Sequence, residues 1–187
     1  GHAPHHICVF DRLSRVLFPG DALGAFHGKR LGERYRPDIV APLFEVETRP
    51  ALADVLRDMD DRGSTVNAFG LIAADSPDVF LLTLIDPEAV ERFLPSQRPP
   101  IWRRIDASIA THVILGHALG LNEDQMTDIQ TVWYEENADG AVAEVRRGRA
   151  RYAVLLNPVS ARRILAVADA GERLPQKSTF FYPKIPT

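Results

Sequence analysis

Eight residues near the C-terminus, Lys177 to Lys184, bring together two lysines, a serine beside a threonine, and three aromatic rings. An ammonium group next to two hydroxyl donors suits a phosphate or a carboxylate, because hydrogen bonds to a charged acceptor are the strong ones. Lys177, Ser178 and Thr179 are therefore the candidate anion ligands, with Arg173 and Lys184 as the neighbouring cations. The plainer reading is an edge strand guarded against pairing by its lysines and Pro183. The residue types alone weigh the two readings evenly.

The other chemistry-bearing residues have ordinary explanations. Gly24, Gly28 and Gly32 surround His27, Lys29 and Arg30, but the spacing fits no phosphate cradle and reads as a flexible loop. His112 and His117 are five apart; on an α-helix they point about 140° from one another and share no metal. His112 falls among Ile105, Ile109, Leu115 and Leu119, where a core histidine with one satisfied hydrogen bond is the expectation. Asp106 reads as a cap, or as a partner of Arg103 or Arg104. Arg146, Arg147, Arg149 and Arg151 close a helix, where cations offset the negative end of the macrodipole. No serine sits on a nucleophile elbow, and no metal site is expected.

The elements that would position these groups follow from hydrophobic period and punctuation. Ile7 to Phe10 reads as a buried strand that needs a later strand, or a missing one, beside it. Arg15 to Phe18 reads as a second strand, and Asp38 to Phe44 as a short helix broken at Pro42. Leu52, Val55, Leu56 and Met59 recur at helical spacing between Pro50 and Gly63. Val66 to Ala73 and Val79 to Ile85 flank a turn and predict a hairpin; Asp86-Pro87 then starts a helix. Pro95, Pro99 and Pro100 mark the one linker-like stretch. It divides the chain into an α+β region, 1–97, and an α/β region, 98–187, or else crosses one compact domain.

Beyond the prolines, Ile105 to Leu119 predicts a buried helix and Ile129 to Tyr134 a strand. A helix over Ala138 to Val145 should end at Gly148, and Tyr152 to Leu156 is apolar on both faces. A helix from Ser160 to Ala170 ends at Gly171, and Ser178 to Tyr182 is a last strand. Alternating strands and helices predict an α/β fold: a mixed sheet with parallel βαβ units, Tyr152 to Leu156 in its interior and both helices covering it.

Composition sets bounds. With 187 residues and 45% hydrophobic content the chain is long enough for a substantial core. A net charge of −3 counts against binding nucleic acid through bulk charge. A single cysteine, Cys8, excludes an internal disulfide. No apolar stretch approaches the ~18 residues of a membrane span, and the first residues do not resemble a signal peptide, so the cytoplasm is the expected compartment and no membrane partner is expected.

The run Ala170-Gly171-Glu172-Arg173-Leu174-Pro175-Gln176-Lys177-Ser178-Thr179-Phe180-Phe181-Tyr182-Pro183-Lys184 resembles the C-terminal signature of the bacterial domain of unknown function 1015 family. That signature reads roughly Ala-Gly-Glu-x-Met-Pro-x-Lys-Ser-Thr-x-Phe-x-Pro-Lys, and Leu174 replaces its methionine. Leu155-Leu156-Asn157-Pro158 and the order of elements from Asp106 onward also fit; the likeness is good over about 100–187 and weaker over 7–95. Family members are about twice as long and carry an Asp-Gly-His-His-Arg motif that this chain lacks. The resemblance therefore implies the C-terminal half of a longer protein, partnered by its N-terminal half or by a second copy, and inert by itself. Some members are associated with ATP-dependent phosphorylation of free serine. That association would bring ATP and Mg²⁺ to the full-length protein and give Lys177, Ser178 and Thr179 a phosphate to hold. Other members carry a ParB-related label, which implies a nucleotide- or nucleic-acid-binding module. The acidic charge and the lack of a helix-turn-helix pattern count against DNA. The remaining alternative is a non-catalytic structural or dimerisation domain.

Overall fold

A computed structural model describes residues 6–9, 43–135 and 137–175. Its described residues build a six-stranded sheet in the order β2-β4-β3-β6-β1-β5. The strands are β1 His6–Val9, β2 Phe44–Arg49, β3 Ala68–Ala73, β4 Val79–Leu84, β5 Val132–Glu135 and β6 Tyr152–Leu156. The helices are α1 Leu52–Gly63, α2 Pro87–Glu91, α3 Pro100–Arg103, α4 Asp106–Ile109, α5 Glu123–Thr127, α6 Ala138–Arg146 and α7 Ala161–Asp169. From α4 the chain runs on into a π-helix, Ala110–Ala118.

The fold is α/β as expected, but the described residues form no parallel βαβ unit. All five described strand pairings are antiparallel. The physical reason lies in how both faces are covered. One face packs Phe69, Leu71, Phe80, Leu82, Val154 and Leu156 under the π-helix residues Ala110, Val113, Ile114 and Leu115. The other packs Ala68, Ile72, Leu81, Ala153 and Leu155 under Val55 and Met59 of α1 and Ala141 and Val145 of α6. A strand apolar on both faces thus reports two covering layers of helix, which an antiparallel sheet can have as well. The inference from Tyr152 to Leu156 to an interior position holds: β6 lies between β3 and β1. β1 finds its neighbours in later strands, pairing with both β5 and β6.

The hairpin of β3 and β4 forms as read, with Ala68 opposite Thr83 and Ile72 opposite Val79. Helix α1 spans the predicted interval, and Asp86 caps α2 by accepting from the Ala89 N–H at 2.8 Å. An ion-pair ladder fixes α1 to edge strand β2. Arg49 bridges Glu47 at 2.8 Å and Asp58 at 2.7 Å, while Arg62 pairs with Glu47 and donates to Thr83 Oγ1 at 2.8 Å.

Four local expectations change. Phe44 opens β2 rather than closing a helix; the rest of the predicted 38–44 helix up to Pro42 lies outside the described residues. The predicted strand from Ile129 starts only at Val132, because the Asp128 side chain accepts from Gln130 N at 3.0 Å and Thr131 Oγ1 at 2.8 Å and holds a turn. Helix α5 was not expected, although Asn122 and Gln125 form its reciprocal capping box. Helix α7 does not cover the sheet. It buries Val167 against Trp102, Ile105 and Ala107, in a cluster separate from both sheet cores.

Candidate functional site around Trp102 and Asp106

The candidate anion segment leaves the described structure from a fixed point. Gly171 adopts φ 72°, the left-handed conformation that ends α7. The Trp102 indole Nε1 then donates to the Arg173 carbonyl at 2.9 Å. Arg98 pairs with Glu172, and its guanidinium carbon lies 5.1 Å from the Trp102 ring centroid. The segment entering the signature is thereby clasped to α3, and the Arg173 side chain is exposed. Lys177, Ser178, Thr179 and Lys184, with the predicted last strand, lie outside the described residues. So do Arg15 to Phe18 and the glycine-rich stretch from Gly24 to Gly32.

The π-helix also meets the Trp102 ring. His112 stands 5.7 Å from Trp102 between ring centroids, and His117 stands 5.0 Å from Phe93. The expected 140° separation of the two histidines does not hold, because it assumed α-helical geometry. With i→i+5 bonding, as in Leu119 N to Ile114 O at 2.9 Å, residues five apart sit one turn apart on one side. Burial pushes the His112 imidazole below its usual range; Glu123 opposes this, and His117 and Arg98 add to it. His112 is half-buried against Trp102 and belongs to none of the buried core clusters, so it is less enclosed than the core-histidine expectation has it. Among the described residues no group of three His, Cys, Asp or Glu side chains is placed to hold a metal.

Asp106 is neither a simple cap nor a partner of Arg103 or Arg104. Both arginines turn to Glu91, at 2.9 Å and 4.0 Å. The Asp106 carboxylate is 6% exposed; it accepts from Asn67 Nδ2 and stands 3.9 Å from Arg163 of α7. The same Asn67 amide donates to the Arg104 carbonyl at 3.1 Å. Burial raises the Asp106 pKa to about 6, against the opposing pull of Asn67 and Arg163. Such a group can be neutral or ionised near neutrality, which is the property proton-transfer and switching residues need. Nearby, Ser108 Oγ is fully buried with no hydrogen-bond partner.

The arginine cluster behaves structurally. Arg146 donates to the carbonyls of Ser76 and Pro77, tying the end of α6 to the β3–β4 turn, and Arg149 pairs with Glu144. Sequence reasoning missed Trp102, Arg98, Asn67 and Arg163. Only the Trp102 position carried a signal, as a large ring within a proline-bounded, arginine-rich stretch.

Comparison with protein-family models, with curated proteins and with solved structures gives no match to this chain. Among the described residues no helix is long and apolar enough to cross a membrane.

Proposed function

We propose that this chain supplies the anion-binding half of an ATP-dependent small-molecule kinase acting in the cytoplasm, with free serine as the acceptor. In this reading Lys177, Ser178 and Thr179 hold a phosphate group, and Arg173 and Lys184 add positive charge. The signature-like run from Ala170 to Lys184 carries the proposal. The clasp of Glu172 and Arg173 by Arg98 and Trp102 supports it, because a ligand-binding segment rooted at a fixed point loses less entropy on binding. ATP with Mg²⁺ is the cofactor this reading requires, and the transferring residues belong to the family's Asp-Gly-His-His-Arg half. The chain alone, given ATP, Mg²⁺ and free serine, should bind nucleotide without turnover. Turnover by this chain would overturn the division of labour, and no nucleotide binding would overturn the anion site in favour of a structural domain.

A further inference from the structure

We propose that α7 and the chain through Pro175 form a strap over the Asp106 carboxyl, docked while that carboxyl is neutral and loosened when it ionises. This goes beyond the kinase reading and does not depend on it.

The strap is lightly attached. Val167 is the one residue of α7 that is buried, and it packs on α3 and the α4 junction rather than on the sheet. Few buried apolar contacts give a segment a low local unfolding free energy. Its far end is held by the Trp102 Nε1 hydrogen bond to the Arg173 carbonyl, the Arg98–Glu172 pair and the packing of half-buried Leu174 on the Trp102 cluster. Its near end begins after Asn157, whose Nδ2 donates to the Met59 carbonyl at 2.9 Å. Between these ends, Arg163 faces the buried Asp106 carboxyl at 3.9 Å.

The direction of the switch follows from Asp106. Its pKa of about 6 in the docked structure lies above the ordinary 3.8, so the docked state prefers the proton. Releasing the strap lets water reach the carboxylate and lowers that pKa. The docked state is therefore favoured at low pH and loses ground as pH rises through about 6. Charged groups on the surrounding elements do not reverse this. On α3 and its end, Arg103 and Arg104 are directed to Glu91. On the π-helix, His112 and His117 lie against Trp102 and Phe93. From the loop before β3 comes the neutral Asn67 amide, and from α7 the Arg163 cation, which favours the ionised form without overcoming burial. Protonating His112 beside Arg98 would loosen the Trp102 contact on the acid side, which is the opposite sign.

Amide hydrogen exchange of the whole chain at pH 5 and pH 8, corrected for intrinsic rates and referenced to β6, tests the strap. The protection of α7 should fall by about tenfold from pH 5 to pH 8, because only the part of the gap between 3.8 and about 6 that lies above pH 5 is crossed. In Asp106→Asn the fall should vanish. In Arg163→Gln, which removes the half-buried cation facing Asp106, it should become steeper. α7 protection that is independent of pH, that falls equally in Asp106→Asn, or that is unaltered by Arg163→Gln would overturn the proposal.

Discussion

The Trp102 indole donates its one hydrogen bond across 71 residues of sequence to the Arg173 carbonyl, at 2.9 Å, while its ring lies under Arg98 and beside His112. One side chain thus joins the π-helix, the proline-rich stretch and the start of the C-terminal signature. Trp102→Phe keeps most of the apolar volume and removes the donor. It should cost about 1–3 kcal/mol, from the lost part-buried hydrogen bond and the smaller ring. Limited proteolysis should cut the variant sooner after residue 173, with the sheet core intact by circular dichroism. Cleavage at the wild-type rate would show that the clasp does not hold the segment.

The buried carboxylate makes a second, global prediction. Since burial raises the Asp106 pKa to about 6, ionising it above that pH costs up to about 3 kcal/mol of stability. Asp106→Asn should therefore be more stable than wild type at pH 8, by about 1–3 kcal/mol in denaturant titrations, with the difference shrinking towards pH 4. A variant destabilised at pH 8 would mean that the Arg163 pair and the Asn67 hydrogen bond outweigh desolvation.

The centre of the sheet depends on a missing side chain. Gly70 lies opposite Leu155, and a Cβ at Gly70 would meet Leu155 Cδ1 at 2.9 Å and Leu155 Cβ at 3.1 Å. Leu155 is fully buried and has little room to yield. Gly70→Ala should destabilise by about 1–3 kcal/mol through overpacking. Combined with Leu155→Ala, which removes Cδ1 and keeps Cβ, the penalty of the alanine should shrink. Additive losses in that double-mutant cycle would show that backbone strain, not Leu155, is responsible.

These relationships separate what the sequence announces from what it hides. Local chemistry was legible: the Pro50-to-Gly63 helix, the hairpin around Asp75 to Asp78 and the Asp86-Pro87 start all carry their own signals. So was the interior place of Tyr152 to Leu156, because burial on both faces shows in composition. Strand direction did not show, since an apolar run between helices reads the same beside antiparallel neighbours. The π-helix was hidden for a similar reason: Ala110 to Ala118 is apolar nearly all round, so no stripe fixes the number of residues per turn. The two histidines were consequently put on different sides. In the sequence Asp106 stands beside Arg103 and Arg104, whereas its partners Asn67 and Arg163 are 39 and 57 positions away and meet it only through the tertiary fold.

The anion site itself is tested most directly by calorimetric titration of the chain with ATP and Mg²⁺, wild type beside Lys177→Ala. A charge-assisted hydrogen bond is worth about 1.5–3 kcal/mol, so the variant should bind about ten- to a hundredfold more weakly. Its melting temperature should stay close to that of wild type, as expected of a lysine that serves a ligand and not the core. Saturable binding by wild type with that loss in the variant is the predicted result. Equal affinity in both proteins, no binding by either, or a large loss of stability with binding unchanged would contradict it and make the Lys177-Ser178-Thr179 segment structural.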